Sequence, residues 1–145
     1  MLFRSAAQFS CGPAEVPAAI DKLRRDAETS STEITNLRGR LASLVVEAFP
    51  GTGAVIAVIP GDAELMRSVA AKLTAAGRDA LLCIPDDAGT HVVLMRAQGS
   101  TLDCAALWKK LAAQAGGRGG GRADRAEGRI ATRIDDWSAV IAPLL

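Results

Sequence analysis

From Val16 to Ala48 the apolar or small residues recur at alternating steps of four and three: Val16, Ile20, Leu23, Ala27, Ser30, Ile34, Leu37, Leu41, Leu44 and Ala48. Heptad spacing kept up over more than four repeats marks a helical face that meets another surface along its length. A helix running from 14 to 48 would be about 50 Å long at roughly 1.5 Å per residue, longer than a small domain is wide. The spacing therefore predicts a long, coiled-coil-like helical arm, whose seam meets either a second copy of the chain or an upstream domain. Cys11-Gly12-Pro13 marks its start. The alternative is two ordinary core helices. Ser30 interrupts the seam, and Thr29-Ser30-Ser31-Thr32 has poor helix propensity, so a kink or break is expected there.

Pro50-Gly51-Thr52-Gly53 is a breaker cluster, and the chain beyond it reads as a compact α/β unit. Ala54 to Ile59 is a β-branched apolar run suited to a central strand buried on both faces. Asp62 is placed to cap a helix with Leu65, Met66, Val69 and Leu73 on its apolar side, and Gly77 ends it. Ala80 to Ile84 and His91 to Ala97 are two more strands, joined as an antiparallel hairpin through Pro85-Asp86-Asp87-Ala88-Gly89. Ser100 or Thr101 caps the next helix, which carries Leu102, Leu107, Trp108 and Leu111 and stops at Gly116-Gly117. Gly128 to Thr132 is an edge strand and Asp135 to Leu144 a last helix. The expected fold class is α/β, a mixed sheet flanked by helices and preceded by the helical arm. The division is 1–49 for the arm and connector and 50–145 for the α/β domain. Leu2, Phe3 and Phe9 have no evident element to support them, so the chain is expected to begin inside a longer protein.

With 145 residues, 49% hydrophobic, the chain can bury a core, which excludes wholesale disorder. No apolar run approaches the roughly 20 residues of a membrane helix, and no secretory signal is visible. Cys11, Cys83 and Cys104 are widely spaced, and His91 is the one histidine. No metal site and no cofactor is expected from such a set, and free thiols suit a reducing cytoplasm. The net charge of +1 is uninformative, but its distribution is not. Residues 116–133 hold Arg118, Arg122, Arg125, Arg129 and Arg133 against Asp124 and Glu127, a local balance of +3. A basic segment on a slightly acidic body points to a directed anion site.

The segment Gly116-Gly117-Arg118-Gly119-Gly120-Gly121-Arg122 carries the chemistry. Such a glycine run persists where φ must be positive or where a ligand approaches the backbone closely. Read as a loop, its successive N–H groups form an anion nest, and Arg118 and Arg122 add bidentate donors for phosphate. The bland alternative is a flexible loop with solvated arginines. A P-loop and a dinucleotide fingerprint are both rejected, because each needs a strand before the glycines and here a helix precedes.

The stretch from Gly116 to Gly128, GGRGGGRADRAEG, resembles the signature of the DHH-associated domain. That domain ends bacterial alanyl-tRNA synthetases and free-standing alanyl-tRNA editing proteins, and forms the second half of DHH-type phosphoesterases. The resemblance covers residues 50–145. It extends more weakly over Phe3 to Leu44, where Ser10-Cys11-Gly12-Pro13 is similar to the connector of the free-standing editing proteins. Arg129-Ile130 stands where the synthetases carry a glycine pair, and Arg122 where the phosphoesterases carry histidine. The resemblance implies a tRNA-binding module without a catalytic site of its own, separated from an upstream catalytic domain. Its site would be Gly116, Gly117, Arg118, Gly119, Gly120, Gly121 and Arg122, with Arg125 and Arg129 lending field. The alternatives are the substrate-binding domain of a phosphoesterase acting on nucleotides or short oligonucleotides, and a dimerisation module working through the N-terminal helix.

Other polar residues read as structural. His91 is a strand residue and Asp86-Asp87 are solvated turn carboxylates. Lys109-Lys110 complement a helix C-terminus or extend the basic surface, and Arg24, Arg25, Arg38 and Arg40 flank the seam.

Overall fold

The computed structural model describes residues 12–132 and 134–145. Leu2, Phe3, Phe9, Arg133 and the first two residues of the Ser10-Cys11-Gly12-Pro13 connector signal lie outside them. The chain divides into two compact units, Met1–Arg38 and Gly39–Leu145.

Pro13–Glu15 form a single 3-10 turn, in which Gly12 N–H donates to the Glu15 carboxylate at 2.9 Å. Helix α1 then runs unbroken over Val16–Glu47. The expected break at the serine–threonine stretch does not occur. The hydroxyls of Thr29, Thr32 and Thr35 donate back to the carbonyls of Arg25, Glu28 and Ser31, each at 2.9 Å. They thereby stay within the helix instead of competing with it. The seam residues Leu23, Ile34 and Leu37 in the first unit, and Leu41 and Leu44 in the second, are each about half exposed.

The second unit is built on a five-stranded mixed sheet. Its elements are β1 (Val55–Val58), α2 (Ala63–Ala75), β2 (Ala80–Asp86), β3 (Gly89–Met95), α3 (Cys104–Ala115), β4 (Gly117–Gly121), β5 (Arg125–Ile130) and α4 (Trp137–Ile141), with a 3-10 turn at Ala142–Leu144 closing the chain. The strand order is β1-β2-β3-β5-β4, with β1 parallel to β2 and every other pair antiparallel. Alternation along the strands separates two apolar layers. Leu81, Cys83, Val92, Leu94, Ala126 and Ile130 face α3 and α4. Ala80, Leu82, Ile84 and Val93 face α2, joined by Ala42, Val45, Val46 and Phe49.

Asp62 caps α2 as expected, accepting the Leu65 N–H at 2.8 Å, and Gly77 succeeds its end at φ +78. Three expectations are corrected. The apolar run ending at Ile59 is an edge strand, not a central one; Val55 and Ile56 pack into the two opposite layers, while Val58 is half exposed. The cap of α3 is Asp103, which accepts the Ala106 N–H at 2.9 Å. Ser100 is instead bonded to Asp79 at 2.6 Å. Most consequentially, the edge at the far side is the glycine run itself, as β4, while Arg125–Ile130 lies inside it as β5.

Candidate nucleic-acid interface

Strand β4 is possible because its neighbours demand the absence of side chains. Gly116 ends α3 in the left-handed region at φ +69, donating its N–H to Ala112. Gly117, Gly119 and Gly121 then turn toward α3. A Cβ on Gly119 would collide with the backbone of Glu127 and Gly128 and lie 3.0 Å from the Trp108 indole; one on Gly121 would strike Arg125 and Ala126. Gly128, across the ladder from Gly119, is equally hemmed in by Trp108 and by the Arg118 carbonyl at 2.6 Å. The indole is 3% exposed. A helix carrying a tryptophan can therefore lie almost directly on this end of the sheet. Gly120 is different: a Cβ there meets nothing within 4 Å.

In a strand, consecutive N–H groups point to opposite sides, so the run forms no concave nest of successive amides. What it presents instead is a face and an edge. On the face turned away from α3, Arg118, Gly120, Arg129, Glu127 and His91 share one surface by register. Arg118 and Arg122 are exposed, and among the described residues neither side chain makes a hydrogen bond or ion pair.

The other two expected arginines are committed. Arg129 pairs with Asp86. Arg125 donates to Glu127 at 2.8 Å. Glu127 is a hub that the sequence alone did not single out. Its other partners are Arg67 of α2 at 2.6 Å and His91 Nε2 at 2.9 Å. The hydrogen bonds from Arg67 hold the Glu127 carboxyl down at about 2, against the opposing effect of burial and with help from Arg125. Arg67 and Glu127 are 60 residues apart, so no local spacing could have announced the pair. The hub locks α2 to β5 and, among the described residues, leaves Arg118 and Arg122 as the arginines of the 116–129 segment without a carboxylate partner. Asp124 stands beside them in the hairpin, whose loop carbonyls at Ala123 and Asp124 accept from Cys104 and Arg96 N–H.

Asp86 accepts the Ala88 N–H as well as pairing with Arg129, as suits a turn carboxylate. Cys83 and Cys104 are buried free thiols, both with pKa raised by burial, Cys104 to about 11. No helix among the described residues is long and apolar enough to cross a membrane.

No family model matches the chain. Over 132 residues, 85% of its length, it is 30% identical to the alanine–tRNA ligases of two strains of Thermus thermophilus. Over 134 residues, 86% of its length, it is 30% identical to the alanine–tRNA ligase of Elusimicrobium minutum. In each case the matched stretch is 15% of the relative's length. The similarity relates this chain, over most of its extent, to one segment of the alanine–tRNA ligases.

Proposed function

We propose that the chain is a tRNA-binding module of an alanyl-tRNA synthetase-like or editing protein, built on a DHH-associated domain and working in the cytoplasm, with catalysis supplied by another domain. The observation that carries this reading is the pair of exposed, uncommitted guanidinium groups on Arg118 and Arg122, flanking the open strand surface at Gly120. Two such forks, one on β4 and one just past its end, grip phosphate oxygens and confer affinity without base specificity. Arg125 and Arg129, already paired with carboxylates, add little net field. The similarity to alanine–tRNA ligases supports tRNA as the nucleic acid.

The test is filter binding of tRNA across a salt series. Arg118→Ala combined with Arg122→Ala should weaken binding about tenfold at low salt. Loss of two phosphate contacts should also flatten the salt slope by roughly 1.5. Unchanged affinity and slope with the fold intact would remove the strand from the mechanism.

The half-exposed apolar residues of the first unit favour a second role beside the first, self-association through Leu23, Ile34 and Leu37 of α1. Sedimentation checks it: Ile34→Glu with Leu37→Glu should convert a dimer to a monomer, and a wild-type monomer at high concentration would refute it.

A further inference from the structure

The free edge of β4 has a hydrogen-bonding pattern of its own, distinct from the arginine face. Arg122 and Arg125 exchange both backbone bonds, at 2.7 and 3.2 Å, and Ala131 N–H donates to Gly116 at 3.1 Å. Between these fixed points an antiparallel ladder alternates. Arg118 and Gly120 therefore bond inward, to Arg129 and Glu127, while Gly117, Gly119 and Gly121 turn their N–H and C=O groups outward. Among the described residues no further strand pairs with β4, and Gly119, Gly120 and Gly121 are exposed. The three residues that face outward are all glycine, so no side chain shields the row.

We propose that this edge accepts an extended acidic peptide segment, added to the sheet as a sixth strand. The backbone chemistry selects a strand. A phosphate lying along the row would meet carbonyl oxygens as often as amides, and like partial charges would oppose it, whereas an extended peptide satisfies both. The charge around the edge selects the sign. Arg118 and Arg122 stand on one side, and Lys109 of α3 lines the groove with Gly119, Gly120 and Gly121 on the other. Lys109, like the two arginines, makes no ion pair among the described residues. Of the nearby carboxylates, Glu127 is saturated by Arg67, Arg125 and His91, and Asp124 lies out in the hairpin. Alternate side chains of an added strand point to the two sides, so acidic residues there meet cations on either one. A second copy of β4 is a poorer occupant, because it would bring its own Arg118 and Arg122 against these. An acidic strand on this edge shares Arg118 and Arg122 with the proposed tRNA contact, but its backbone hydrogen bonds use the outward groups of Gly117, Gly119 and Gly121, which that contact does not need.

The test uses the isotope-labelled full chain and a short end-capped peptide alternating glutamate with threonine. The expected result is slowed hydrogen exchange at the Gly117, Gly119 and Gly121 amides, with little change at Gly120, which is already bonded to β5. A peptide N-methylated at the residues facing the edge keeps its charge and loses its donors, and should bind at least about tenfold more weakly. A lysine-for-glutamate peptide should not bind. Equal affinity of the N-methylated peptide overturns the proposal. So does protection of the three glycines by an RNA oligonucleotide and not by the peptide, or concentration-dependent protection in the chain alone, which would identify a second copy. Each reading is taken on unmodified protein, and tRNA affinity is scored separately.

Discussion

Alanine at position 119 and alanine at position 120 add the same methyl group to neighbouring residues of one strand, and the structure assigns them opposite consequences. At Gly119 the backbone has φ +152, and the new Cβ would collide with backbone atoms of Glu127 and Gly128 that no rotamer change can move. A strained φ costs on the order of 1–3 kcal/mol and overpacking about as much again. A loss of about 3 kcal/mol is therefore expected for Gly119→Ala. For a unit the size of Gly39–Leu145 that is a fall in Tm of roughly 12–15 °C. At Gly120 the φ is unexceptional and the Cβ enters open space. Gly120→Ala should be neutral, or stabilising by about 0.4–1 kcal/mol through the unfolded chain. Thermal and urea denaturation of the two variants side by side provides the assay. Equal destabilisation, or a harmless Gly119→Ala, would mean that the register of β4 on β5 is wrong. The pair also separates folding from binding. A folded Gly120→Ala protein with weakened tRNA affinity would show that the ligand lies on the strand surface there.

Glu127 should leave an acid signature. Its folded carboxyl sits near 2 against an ordinary value of 4.5, so the stability it contributes is present above pH 4.5 and is lost as pH falls toward 2. Because Arg67 and Arg125 are each more than two-fifths exposed, solvent screening limits that contribution to about 1 kcal/mol. Glu127→Gln should thus cost about that much in urea denaturation at pH 7, and the gap from wild type should close near pH 2. A gap that persists at low pH would refute the ion-pair origin. Asp103→Ala should destabilise by about 1 kcal/mol through loss of the α3 cap, whereas Thr101→Ala should be near neutral; the reverse order would reinstate the threonine as the cap.

Much of the fold was legible because its signals are local. The heptad spacing announced α1, Asp62 and Gly77 bracketed α2, and the turn around Asp87 announced the β2–β3 hairpin. In the sequence the glycine run reads as a loop because glycine ranks low among strand formers. The correcting signal was its period: Gly117, Gly119 and Gly121 share one face, across from Ala126 and Gly128 on β5. That pattern means little until α3 and Trp108 are known to lie on the same face. The candidate site was half legible. Arg118 and Arg122 stood out from composition, but whether an arginine is free or committed depends on distant partners. Asp86 neutralises Arg129 from 43 residues away, and Arg67 reaches Glu127 across 60.

The two buried thiols give this protein an internal clock for its own opening. Only a thiolate alkylates quickly, and burial disfavours that form at both sites. Labelling must therefore wait for the structure around each sulfur to part. Cys104 occupies the first residue of α3 and Cys83 lies in β2, on opposite sides of the same apolar layer. In a Cys11→Ser background, faster modification of Cys104 than of Cys83 would time the lifting of α3 from an intact sheet. Matched rates would mean that helix and sheet come apart as one cooperative body.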